Sequence, residues 1–148
     1  MPFGGGGAFA RLRVSACREP SSARLLRSHE AAHTNVARID AFVRAMGMES
    51  PPVLMDSQAK YAVLSAGHAE VLLRFLSPDA PNYREKIWDQ AAGTLVIEEA
   101  GGRVTDLDGL KLDFSTGRTL CDNRGIAASN GPLHDAVLEA VARVDKEV

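Results

Sequence analysis

"PPVLMDSQAKYAVLSAGHAEVLLRF", residues 51–75, decides the fold. Two prolines lead into the short apolar run Val53, Leu54, Met55, which reads as a strand. Asp56 or Ser57 is placed to cap a helix over "SQAKYAVLSAG", and Gly67 to stop it. "AEVLLRF" then reads as a second, buried strand. Strand, helix and strand with short joints make the repeating unit of an α/β protein.

The same rhythm extends in both directions. Upstream, Val36, Ile39, Phe42, Val43 and Met46 recur at helical spacing, with Thr34 as cap and Gly47 as stop. Further upstream, "ARLRVSA" alternates like a strand, with Leu12 and Val14 on one face. Downstream, a loop with Pro78 and Pro81 leads to a helix predicted from about Ile87 to Ala100, ended by Gly101 and Gly102. "GRVTDLDGLKLDF" carries the Asp-Gly signature of a hairpin, and "GIAASN" reads as a last strand. Pro132 opens a final helix whose apolar stripe is Leu133, Ala136, Val137, Ala140, Val141 and Val144. The expected fold is α/β, a layered sheet with flanking helices. Residues 1–10 form a glycine-rich N-terminal segment and residues 11–148 the domain.

Composition narrows the function classes. At 148 residues, 45% hydrophobic and 24% charged, the chain suits one globular core. A net charge of -2 argues against a general nucleic-acid binder, although residues 1–27 hold five arginines and one acid. Cys17 and Cys121 are the only cysteines, far apart and without metal-ligand spacing. No signal peptide or apolar span is legible, so the expectation is a cytoplasmic chain that contacts neither membrane nor nucleic acid. "GGGGAFAR" lacks the Gly-Lys-Ser/Thr of a phosphate loop. Asp106 and Asp108-Gly109 mimic a calcium loop, but Gly117 stands where its glutamate belongs.

Chemistry-bearing residues sit where strands give way to helices. Ser57 at a helix start and Lys60 one turn on have the spacing of a phosphate cradle; an ordinary cap with a solvated lysine is the alternative. Asp89 follows the only tryptophan and precedes Ala91, Ala92 and Gly93. Helix-end electrostatics accounts for the acid, and close packing or a close ligand for the small residues. His33 lies just before a predicted helix, as a ligand contact or a loop residue. Arg74 ends an apolar strand, where its guanidinium suits a phosphate or carboxylate.

"YREKIWDQAAGTLVIEEAGGRVTD", with "MDSQAKY", "EAAH" and "LDFSTGRTL", resembles the C-terminal half of 3'(2'),5'-bisphosphate nucleotidases, within the inositol monophosphatase superfamily. The resemblance implies a magnesium-dependent, lithium-sensitive phosphatase tied to sulfur assimilation. Its reaction would be hydrolysis of the 3'-phosphate of adenosine 3',5'-bisphosphate to AMP and phosphate. It implies that His33, Ser57, Lys60, Arg74 and Asp89 line the nucleotide site, and that Asp89 also helps hold Mg2+. The family's D-P-x-D-G-T motif is absent from this sequence. The chain is therefore expected to be a truncated half, inactive alone, that exposes apolar surface and associates with the missing half or with a second copy. A non-catalytic nucleotide-binding module and an inositol-phosphate phosphatase fragment remain alternatives.

Overall fold

A computed structural model of the chain describes residues 9–29 and 35–147. Five strands form one mixed sheet: β1 (Leu25–Arg27), β2 (Val53–Leu54), β3 (Val71–Arg74), β4 (Arg103–Thr105) and β5 (Ile126–Ser129). Their spatial order is β2-β1-β3-β5-β4. β1 runs parallel to both β2 and β3, while β5 is antiparallel to β3 and β4. Among the described residues four α-helices flank it: α1 (Val36–Met46), α2 (Ala59–Ser65), α3 (Ile87–Glu99) and α4 (His134–Lys146).

The chain passes from β1 through α1 to β2, then returns across β1 through α2 to β3. Right-handed crossovers in opposite directions must lie on opposite faces of a sheet. They do. Leu25, Val71, Leu73 and Ala127 face α1 and α4, where Ile39, Phe42, Val137 and Val141 complete one core. Leu26, Leu72, Ile126 and Ala128 face the other way, onto Tyr61 and Leu64 of α2 and Ile97 of α3. The two-residue alternation along each strand thus feeds a core above and a core below.

Local signals set most element ends. The Asn35 side chain accepts from the Arg38 amide at 3.2 Å and caps α1, whose C-cap Gly47 is left-handed at φ 68°. Thr34, the expected cap, lies outside the described residues.

Three expectations need correcting. Residues 10–16 belong to no strand among the described residues: the Val14 amide donates to Ala100 O at 3.0 Å, and Asn130 Nδ2 reaches Ser15 O at 3.0 Å and Cys17 O at 2.8 Å. The segment is strapped over helix and strand ends, and the true first strand is the shorter run Leu25–Arg27. The Asp-Gly turn follows β4, but the strand that pairs β4 is β5. Buried Asp106 organises that turn instead, accepting from the amides of Asp108 and Leu110 and from Asn123 Nδ2 at 2.9, 2.8 and 3.1 Å. Gln58, not Asp56 or Ser57, holds the N-cap position of α2 and makes no side-chain bond there, while the Ser57 hydroxyl one residue earlier accepts from the Ala59 amide.

Of the small residues after Asp89, Gly93 finds its reason. A Cβ at Gly93 would overlap the ring of Tyr61, so glycine lets α3 close onto α2. The outward side of α3 stays apolar and uncovered, with Trp88 58% and Leu95 59% exposed.

Candidate functional site

Because β1, β2 and β3 are parallel, their carboxyl ends lie along one edge, where ligands of open α/β sheets bind. Ser28 follows β1, Asp56 follows β2, and Arg74 is the last residue of β3. The first turn of α3 brings Asp89 to the same edge. These four, with Ser57, Gln58, Lys60, Tyr61 and Tyr83, line a cleft of about 390 Å3. Ser57, Lys60, Arg74 and Asp89, singled out from sequence, therefore meet in one place. His33 lies outside the described residues.

The loop before α2 is built for this. Ser57 has φ 65°, a left-handed conformation that side chains other than glycine adopt at a cost. Its carbonyl accepts from Lys60 Nζ at 3.2 Å, and its hydroxyl accepts from the Ala59 amide at 3.3 Å. Lys60 is only 5% exposed. Burial, then the neighbouring Arg74 charge, lowers its pKa, with Asp56 opposing. Two cations held this close beside one cleft favour an anion between them. Gln58 Nε2 donates to Asp89 O at 2.8 Å and ties the start of α2 to the start of α3.

The two acids of the cleft differ. Asp56 accepts from the Ser28 hydroxyl and the His29 amide, which hold its carboxyl below the usual range. The Asp89 carboxylate is half-buried and accepts no hydrogen bond from the described residues. Among the described residues it is the cleft carboxylate left without a hydrogen-bond donor.

Beneath the cleft runs a buried chain of hydrogen bonds. Arg74 Nε donates to Glu85 Oε1 at 2.9 Å, Gln90 Nε2 donates to Glu85 Oε2 at 2.8 Å, and Tyr61 OH donates to Gln90 Oε1. Burial raises the Tyr61 phenol well above its ordinary pKa, against Arg74 and aided by Glu85 and Asp89, so it stays a donor. Sequence reading overlooked Ser28, Tyr61, Glu85 and Gln90. Ser28 was hidden with the unrecognised strand β1. Glu85 and Gln90 flank "KIWD" in a pattern that looks like ordinary helix-start polarity, so nothing local marks them as buried.

Magnesium binds oxygen ligands and often takes only one or two protein carboxylates, with phosphate oxygens and water completing its shell. Asp89 fits one such position. Among the described residues no three His, Cys, Asp or Glu side chains gather into a cage.

Comparison with known proteins fits this geometry. The profile described as the inositol monophosphatase family matches residues 4–146. A 3'(2'),5'-bisphosphate nucleotidase of Emericella nidulans is 45% identical over 117 residues, covering 79% of this chain and 33% of that protein. One from Oryza sativa is 43% identical over 137 residues, covering 91% and 37%. This chain thus spans about a third of the curated relatives it matches. Among solved structures, a Thermotoga maritima IMPase superposes with a TM-score of 0.69 at 24% identity, over 93% of this chain and 47% of that one. At that identity the likeness speaks for the fold alone.

Proposed function

Since the chain belongs to the inositol monophosphatase family, we propose that its cleft holds the phosphate-bearing part of a nucleotide such as adenosine 3',5'-bisphosphate or AMP. The observation that carries this reading is the meeting of Ser57, Lys60, Arg74 and Asp89 from separate segments at the carboxyl edge of the sheet. The names of the similar relatives support the choice of nucleotide.

In the full reaction, the 3'-phosphate is hydrolysed to leave AMP and inorganic phosphate. Lys60 and Arg74 neutralise phosphate oxygens, and the Ser57 hydroxyl donates to one of them. Asp89 supplies a carboxylate for Mg2+, which when bound neutralises phosphate charge and activates a water. The remaining carboxylates belong to polypeptide beyond the described residues. The family's lithium sensitivity and a place in sulfur assimilation are part of the same reading.

Calorimetry of the 148-residue chain with AMP and with adenosine tests the reading. AMP should bind and adenosine should not, and Lys60→Ala or Arg74→Ala should weaken AMP by about tenfold or more, as loss of a charge-assisted bond requires. Equal binding of AMP and adenosine would refute a phosphate cleft. Phosphate release from adenosine 3',5'-bisphosphate by the isolated chain should match buffer; robust magnesium-dependent release would show that one carboxylate is enough.

A further inference from the structure

Arg74 is anchored twice before any ligand arrives. Its backbone pairs with Ile126 of β5, and a Cβ at Gly125 (φ 60°) would overlap its carbonyl. Its side chain donates through Nε to Glu85 Oε1 at 2.9 Å. Glu85 is 5% exposed and is held in turn by Gln90 and Tyr61. The bonds have one polarity. The phenol donates to the amide oxygen, which turns the amide NH2 onto one carboxylate oxygen and leaves the other for the arginine. With Nε committed, the two terminal nitrogens of Arg74 have no partner among the described residues, and the side chain lines the cleft.

Resting on the phosphate-cleft reading above, we propose that Glu85 is the positioning residue of the site, aiming the Arg74 guanidinium at the bound phosphate, with Gln90 and Tyr61 locking Glu85 in turn. A free arginine surrenders rotamer entropy when it binds; a clamped one has already done so.

The sign of one mutation separates this from plain electrostatics. A buried carboxylate beside an anion site repels the anion, so removing it should tighten binding if charge alone mattered. If Glu85 positions Arg74, Glu85→Ala should weaken AMP about tenfold. Glu85→Gln keeps an oxygen for Nε, and its NH2 is accommodated by reversing the Gln90 amide and the Tyr61 hydroxyl. That variant should bind AMP within about threefold of wild type or tighter. In an Arg74→Ala background Glu85→Ala should no longer weaken AMP, because the weakening passes through the arginine.

The measurement is AMP calorimetry on wild type, the three single variants and the double variant, each first shown to be folded by circular dichroism. Glu85→Ala binding AMP as tightly as wild type or tighter, while Arg74→Ala binds weakly, overturns this inference alone. So does an undiminished Glu85→Ala effect in the Arg74→Ala background. A wild type that binds no AMP sinks the site reading and this inference together.

Discussion

His134 is wholly buried at the start of α4 and should make stability fall as the medium is acidified. Its Nε2 lies 2.9 Å from Thr105 Oγ1 and its Nδ1 2.8 Å from Ser129 Oγ. The Thr105 hydroxyl donates to Asp106 O at 2.8 Å, so its oxygen accepts from His134 Nε2–H. Ser129 Oγ accepts from the Gly131 amide at 3.1 Å and donates to Nδ1. The neutral ring fills both bonds; a protonated one would set two donors against each other. Burial first, then Arg103, lowers the pKa from 6.5 to about 4, with Asp135 opposing. The folded pKa is the lower one, so the unfolded chain takes up the proton first. Stability is full above the unfolded value and is lost as pH falls from there towards about 4. One proton is worth about 1.4 kcal/mol per pH unit, so acidifying from about pH 7.5 to about pH 5 should remove about 2 kcal/mol. Urea unfolding at the two pH values reads this directly. His134→Gln cannot titrate, and its midpoint should be nearly flat across the window, whatever stability it loses at neutral pH. Wild-type stability constant to within about 0.5 kcal/mol, or an undiminished slope in the variant, would refute the assignment.

Gly93→Ala gains about 1 kcal/mol of helix propensity but drives a methyl into the Tyr61 ring, a clash costing about 1–3 kcal/mol, so the urea midpoint should fall. The same substitution should weaken AMP binding, since Tyr61 anchors the chain beneath Arg74; unchanged affinity would uncouple the two helices from the cleft. Asp106→Ala strips acceptors from the Asp108 and Leu110 amides and from Asn123, and should cost about 3 kcal/mol by chemical denaturation. Asn35→Ala removes the α1 cap and should cost about 1 kcal/mol, measured as a lowered thermal midpoint with unchanged AMP binding.

Periodicity alone was enough to assign the layered α/β class, because a buried helix face and a buried strand repeat at different intervals. The four helices were legible for that reason, and the strands at 53–54, 71–74, 103–105 and 126–129 as short runs set between turn and helix signals. β1 was missed because its only apolar residues, Leu25 and Leu26, stand between Arg24 and Arg27 and make no apolar run, and residues 10–16 alternated without finding a sheet edge. The Asp-Gly turn was visible, but strand pairing depends on which edge β5 reaches, a long-range matter.

The cleft divides in the same way. Ser57, Lys60, Arg74 and Asp89 stood out locally, each a polar group where an element begins or ends. That they face one another follows from parallel strands, whose carboxyl ends share an edge however far apart they lie in the chain. Amino-acid order by itself determined the kinds of residue available and the segments that carry them. Tertiary structure alone decided that Gly93 serves Tyr61, that Asp89 faces the cleft, and that Glu85 and Gln90 lie buried behind Arg74. Burial and hydrogen-bond partnership belong to pairs of distant residues, and a pair has no signature until the chain has folded.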